Sequence, residues 1–185
     1  MWPKVEAERC ENFGTRPIRV RWTACRGNLK QYEAALAHDL TMQPTAQVAR
    51  HPIHPMLVSV PIVCFIGALL TDITYAVSAE MMWADFSAWL LVVGVIIGVL
   101  AAIAGLIDFL GNPGIRALGP AWLHLIGNLI VLVLAVFNAL IHTRDAWTSV
   151  VPTGLALSII TVLILPVTGW LGWTMVYRYG VGAAR

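Results

Sequence analysis

Four long apolar segments, separated by short polar ones, fill most of the chain after residue 50. Each segment is close to the roughly 20 residues that an α-helix needs to cross the hydrocarbon of a bilayer. Short loops between them force neighbouring helices to run antiparallel. The pattern predicts an all-α polytopic membrane protein, an up-down-up-down four-helix transmembrane bundle, with spans over residues 55–77, 87–110, 121–142 and 151–177.

Prolines and glycines refine this picture of the spans. Pro55 stands at the first helical position, where its missing N–H is harmless. Pro61 and Pro166 lie inside spans one and four and predict bends. Gly94 and Gly98 form a GxxxG pair in span two, a pattern that permits close helix approach. These residues are therefore interpreted as packing features rather than as parts of a site.

Residues 1–47 are predicted to be a polar extension, and residues 48–183 the four-span domain. The first 41 residues contain seven of the twelve basic and five of the ten acidic residues, and their apolar residues follow no sustained period. Two interpretations remain open: the segment is disordered, or it lies upstream of a true start at Met42. The chain does not begin like a cleaved secretory signal, so the first apolar segment is expected to remain as a span.

Composition supports the membrane class and excludes others. The chain is 58% hydrophobic and 12% charged, whereas soluble domains carry about 25% charged residues. The lipid bilayer is thus the first expected partner, and the net charge of +2 gives no reason to expect nucleic acid. The three cysteines form no CxxC or CxxCH motif, so neither a thioredoxin-like site nor a c-type haem attachment is predicted.

Arginines near the span ends predict the orientation. Cytoplasmic loops carry an excess of Lys and Arg, and four arginines fall on one side while Arg144 falls on the other with three carboxylates. Both termini are therefore expected to be cytoplasmic. The four arginines are Arg50, Arg116, Arg178 and Arg185.

Few ionisable residues lie in or beside the spans, and their spacing is regular. A charge in hydrocarbon costs at least about 2.5–3.5 kcal/mol, so each such residue is a functional candidate. His54 and Asp72 lie 18 residues apart in span one, which is five full helical turns. His124 and His142 have the same spacing in span three. Each helix therefore carries one ionisable group near each membrane surface.

The antiparallel topology gathers one set of these groups at the predicted cytoplasmic end: His51, His54, Asp108 and His124. Three ligands fit this set. His54, His124 and Asp108 could bind zinc, iron or copper. His51 or His54 could bind haem b together with His124, or the imidazoles could handle quinone or protons. The competing interpretation is structural, with His54 and Asp108 capping helix ends or pairing with each other and with His124.

The other set, Asp72, His142 and Arg144, falls at the outer end. Asp72 with His142 or Arg144 is expected to form an ion pair that fixes span one to span three, and a proton relay is the alternative. Asn128 and Asn138 continue the polar stripe of span three between its two histidines.

Several motifs together resemble a bacterial four-helix membrane family, catalogued as domain of unknown function 2231. The resemblance covers residues 48–183, and its most specific parts are the HP-x-HP opening and the terminal VYR-x-GVG. This chain departs from the family pattern at Trp173–Thr174, where Gly-Glu is common, and at Tyr179, where His is common. The motifs are HPIHPMLVSVP, then Asp72, GLIDFL, WLHLIGN and GWLGWTMVYRYGVG.

The resemblance implies an inner-membrane protein without an established activity. Relatives fused to Rieske-type or cytochrome-like domains imply a role in electron transfer by analogy. The leading hypothesis is a small redox subunit that binds haem b or quinone, with an electron-transfer protein or a second copy as partner and no enzymatic activity alone. The alternatives are a structural or assembly subunit and a small metal or proton transport module. The motif positions are His51, His54, Asp72, Asp108, His124 and Arg178.

Overall fold

A computed structural model describes residues 45–48, 51–143 and 150–182, together with Gln31. The chain divides between Thr41 and Met42 into two units, and the fold below belongs to the second, Met42–Arg185. Apart from Gln31, residues 1–41 lie outside the described residues, and both interpretations of this segment stay predictions.

The described residues form an all-α bundle, which confirms the predicted fold class. Four of the helical segments are long and apolar enough to cross a membrane. A two-residue antiparallel strand pair precedes them, with Gln47 opposite Pro52, and the sequence pattern had not indicated it. The elements are β1 Gln47–Val48, β2 His51–Pro52, α1 Ile53–Ser78, α2 Met81–Gly111, the short α3 Pro113–Arg116, α4 Gly119–His142, a π-type turn Val150–Gly154 and α5 Leu155–Tyr179.

The connection between α1 and α2 is shorter than the sequence predicted. The segment 78–86, which is acidic and contains Trp83 and Phe86, was expected to be a turn, yet residues 81–86 form the first turns of α2. The reversal is made at Ala79, whose φ of 56° is left-handed, a conformation that is uncommon for residues other than glycine. Its N–H donates to the carbonyl of Tyr75. Because the turn is so tight, α2 begins six residues early.

The packing order around the bundle is α1, α2, α4, α5. Helix α1 packs on α2 and α5, and helix α4 packs on the same two neighbours. Helices α1 and α4 therefore lie diagonally opposite each other. A side chain of α1 meets one of α4 only if both point towards the centre of the bundle.

An apolar layer fills the middle of the bundle. Phe65 is its largest member and is only 3% exposed. Gly94 lies against it: a Cβ on this glycine would come within 2.6 Å of Cε1 of Phe65, so the GxxxG pattern serves the close approach of α1 and α2. We call this set the central layer; it consists of Phe65, Ala68, Leu91, Val131, Ala135 and Leu165.

The outward faces of the helices are also apolar. Val63 and Leu163 are each 68% exposed, and Leu70 is 60% exposed. Surfaces of this kind are normal in lipid, where hydrocarbon chains cover them. The chain is a membrane protein whose polar groups must be satisfied inside the bundle or at its two ends.

Candidate functional site

His54 lies in the first turn of α1 and points into the bundle against α2. Its Nδ1 is 2.8 Å from the carbonyl oxygen of Ala101. A carbonyl oxygen only accepts, so Nδ1 carries the hydrogen, and in the neutral ring Nε2 keeps its lone pair. A Cβ on Gly105 would lie 2.9 Å from this Nδ1. The ring can therefore occupy its position only because residue 105 has no side chain.

His124 repeats this arrangement between α4 and α5. Its Nδ1 is 2.9 Å from the carbonyl oxygen of Thr168, and a Cβ on Gly172 would come within 3.0 Å of its Cε1. By the same reasoning Nδ1 donates and Nε2 holds the lone pair. Each imidazole is thus oriented by one backbone carbonyl and seated against one glycine.

The two imidazoles meet at the centre of the bundle. Their ring centres are 5.9 Å apart and their planes are nearly perpendicular, at 85°. Among the described residues, neither Nε2 atom has a hydrogen-bond partner. We call His54 and His124 the histidine pair, and the end of the bundle that contains it the histidine end.

Asp108 and His51, the other two residues predicted at this end, have partners outside the histidine pair. Asp108 is 8% exposed, and its Oδ1 accepts a 2.6 Å hydrogen bond from the N–H of Ala46, so it anchors the segment that precedes α1. The backbone of His51 pairs with Val48, while its side chain is not described. Within the described ranges, no three His, Cys, Asp or Glu side chains gather where they could hold a metal ion.

Asp72 joins all four long helices at the opposite end of the bundle. It is fully buried. Its Oδ1 accepts from the hydroxyl of Ser87 on α2 and lies 3.0 Å from Nε2 of His142 on α4. Its Oδ2 accepts a 2.6 Å hydrogen bond from Ser158 on α5. A carboxylate with a partner on each of the other three helices fixes their relative positions.

Asn138 completes this group. Its amide donates to Ser158 at 2.8 Å, and its backbone carbonyl lies 2.9 Å from Nδ1 of His142. We call Asp72, Ser87, Asn138, His142 and Ser158 the Asp72 cluster, and its end of the bundle the aspartate end.

The predicted contact between Asp72 and His142 is present, whereas Asn128 lies outside the Asp72 cluster. Asn128 only donates to the carbonyl of His124, one turn earlier on the same helix. Arg144 lies outside the described residues. The sequence reasoning missed Ser87 and Ser158, for which the available signal was their position in apolar spans at the depth of Asp72.

The α1–α2 and α4–α5 hairpins carry equivalent residues at regular offsets. His124 follows His54 by 70 residues, and His142 follows Asp72 by the same 70. Each pair meets across the bundle, one at each end. Helices α1 and α4 are therefore equivalent elements on opposite sides of one axis.

The partner helices of the two hairpins show the same relation. The carbonyl and glycine that seat His54 are Ala101 and Gly105, and those that seat His124 are Thr168 and Gly172. Both offsets are 67 residues, and both glycines follow their carbonyl by four residues. The bundle is thus built from two parallel repeats, as in membrane proteins whose halves are related by an axis along the membrane normal.

A family model described as a predicted membrane protein, DUF2231, matches residues 50–185. No curated protein and no solved structure gives a match.

Proposed function

Since this chain belongs to the DUF2231 family of predicted membrane proteins and has four helices able to cross a bilayer, we propose that it acts within the membrane as a small redox subunit that binds haem b between His54 and His124. The observation that carries this proposal is the orientation of the two imidazoles. Each donates Nδ1–H to a backbone carbonyl, the support that metal-ligating histidines usually have.

The donor set fits haem better than a bare metal ion. Structural zinc takes four protein ligands and catalytic zinc three, whereas haem iron held by a protein needs only axial ligands. The two ring centres are 5.9 Å apart, so a group bound between the helices could contact both imidazoles.

In this proposal each residue has a defined task. His54 and His124 would hold the haem, and the carbonyls of Ala101 and Thr168 fix the orientation of their rings. Haem supplies one-electron transfer when bound. Gly105 and Gly172 are the positions where the flanking helices direct no side chain towards the histidines.

The proposal places the histidine end at the cytoplasmic face of a bacterial inner membrane. Arg116 ends α3 and Arg178 lies in the last turn of α5, both at this end, and basic residues favour the cytoplasmic side. An electron-transfer protein, or a second copy of this chain, would dock at the same face.

The proposal predicts an optical spectrum. The full-length protein, purified in mild detergent, should show a Soret band, which His54→Ala and His124→Ala should each abolish because one of the two residues that would hold the haem is lost. His38→Ala is the control for imidazoles outside the spans and should leave the band unchanged. If the purified protein is colourless but retains extractable quinone, quinone and not haem is the ligand of the histidine pair. A protein that contains neither haem nor quinone would refute the proposal.

A second prediction tests the contact between Gly172 and the ring of His124. Gly172→Ala would bring a Cβ within 3.0 Å of His124 Cε1, so the ring should lose its alignment with the Thr168 carbonyl. Loss of such a supporting contact typically weakens metal binding 10–100-fold, and we expect at least about tenfold weaker haem binding in a titration. Gly169→Ala is the matched control, because nothing lies within 4 Å of its Cβ position. Equal affinities would remove the assigned role of Gly172.

A structural or assembly subunit is the second candidate, and one observation favours it. The hydrogen bonds of the histidine pair already tie α1 to α2 and α4 to α5 without any cofactor. On this account both His→Ala variants would lower stability while the wild-type spectrum stayed free of any haem band.

A further inference from the structure

The contact between Asp72 and His142 defines how many protons the pair holds. Nδ1 of His142 faces the carbonyl oxygen of Asn138, which only accepts, so Nδ1 carries a hydrogen. Nε2 lies 3.0 Å from Oδ1 of Asp72. Two lone pairs would repel at that distance, so one further proton lies between these atoms. The pair is therefore neutral as a whole and holds one shared proton in a fully buried place.

Three buried oxygens in this half of the bundle lack a hydrogen-bond partner among the described residues: Oδ1 of Asn138, Oγ1 of Thr161 and the hydroxyl of Tyr75. All three residues are at most 2% exposed. A buried polar atom left unpaired is destabilising. The oxygens of Asn138 and Thr161 lie on the neighbouring helices α4 and α5, and one bound molecule between these helices would satisfy both. Tyr75 lies further outward, packed with Ala84 and Val150.

The positions of Asn138 and Thr161 favour water as this molecule. Asn138 belongs to the Asp72 cluster, Thr161 follows Ser158 by one turn of α5, and Tyr75 follows Asp72 by one turn of α1. Asn138 and Thr161 supply an acceptor and a hydroxyl on adjacent helices, and a buried water typically makes about three hydrogen bonds to groups of this kind.

The central layer closes this region on its inner side. Its apolar side chains lie between the Asp72 cluster and the histidine pair. From Asn138 to Asn128, the next polar residue on the inward face of α4, the helix rises about 15 Å. A proton in the cluster can therefore exchange only towards the aspartate end.

Other titratable groups are few around the pair. Among the described residues, Tyr75 on α1 is the one such group that is buried. Helices α2 and α5 face the pair with hydroxyls, from Ser87, Ser158 and Thr161. Glu80 and Asp85, the nearest other carboxylates along the described chain, are exposed.

We propose that the aspartate end contains a second site, which binds one exchangeable proton between Asp72 and His142 and at least one water molecule on Asn138 and Thr161. This site does not depend on haem at the histidine pair. It takes up and releases protons from one side of the membrane and does not conduct them across.

The first test is infrared difference spectroscopy of the full-length protein in nanodiscs during a pH titration. Wild type should show one titrating carboxyl band that Asp72→Asn removes and that the exposed-residue control Asp85→Asn retains. His142→Gln keeps a donor to Asp72 and should shift the pH at which the band titrates, which gives a readout if Asp72→Asn fails to fold. If wild type and variants give the same bands, the contact between Asp72 and His142 is only structural and the proposal is wrong.

Two further measurements address the water and the direction of exchange. A water O–H band that shifts in H2(18)O should be present in wild type and lost in Thr161→Val, which keeps the side-chain shape without the hydroxyl. Proteoliposomes with a pH gradient should show no proton flux above that of empty vesicles. An isotope-insensitive spectrum would remove the water, and a flux abolished by Asp72→Asn would contradict the closed central layer.

Discussion

Replacing Asp72 by alanine is expected to lower the free energy of unfolding by about 3 kcal/mol. The substitution removes the acceptor for Ser87, Ser158 and His142 at once. Removing one partner of a buried ion pair typically costs about 3–5 kcal/mol. We expect the lower end of that range because the hydroxyl of Ser87 can still donate to the carbonyl oxygen of Ala68.

The measurement is reversible unfolding in mixed micelles with increasing SDS, followed by tryptophan fluorescence. Asp85→Ala provides the matched control, since Asp85 is an exposed carboxylate at the same end of the bundle. Its effect should stay within about 0.5 kcal/mol, as for most surface substitutions. Equal losses for the two variants would mean that the Asp72 cluster contributes nothing particular to stability.

Phe65→Ala should cost about 2–3 kcal/mol by a different mechanism. Phe65 is 3% exposed in the central layer, and truncation leaves a cavity between four helices. Phe→Ala in water-soluble cores costs about 3–5 kcal/mol. The loss should be smaller here because lipid is as apolar as the core, so only packing contacts disappear.

Ile66→Ala is the control on the neighbouring residue. Ile66 is 41% exposed and faces lipid, which refills the space of the missing side chain. The same SDS titration should give a change well below 1 kcal/mol for Ile66→Ala. A Phe65→Ala effect that small would mean that the central layer is loosely packed.

The sequence was sufficient for the spans and for the pairs that meet across the bundle. Apolar length identifies membrane helices because the bilayer has a fixed thickness. The 18-residue spacing on two helices, combined with antiparallel neighbours, indicated that His54 and His124 share one end. The same reasoning predicted the contact between Asp72 and His142.

The partners of these residues could not be predicted, for physical reasons. The carbonyls of Ala101 and Thr168 orient the histidines, but every residue has a carbonyl, so the sequence carries no signal for which one is used. Ser87 and Ser158 resemble ordinary small residues of membrane helices. The hydrogen bond from the N–H of Ala46 to Asp108 could not be predicted either, because the position of this N–H depends on how the chain turns before α1.

The equivalence of the two hairpins bears on how the aspartate end could have arisen. A single hairpin of this kind would contain one residue of each pair that meets across the bundle. It would have to associate with an identical copy to complete the bundle. Identical residues would then face each other on the axis, and two aspartates there would repel while two histidines would compete for one proton. Joining the copies in one polypeptide frees the equivalent positions to diverge. The acid at residue 72 and the base at residue 142 are complementary. A bundle of two identical hairpins could not have contained such an unlike pair on its axis.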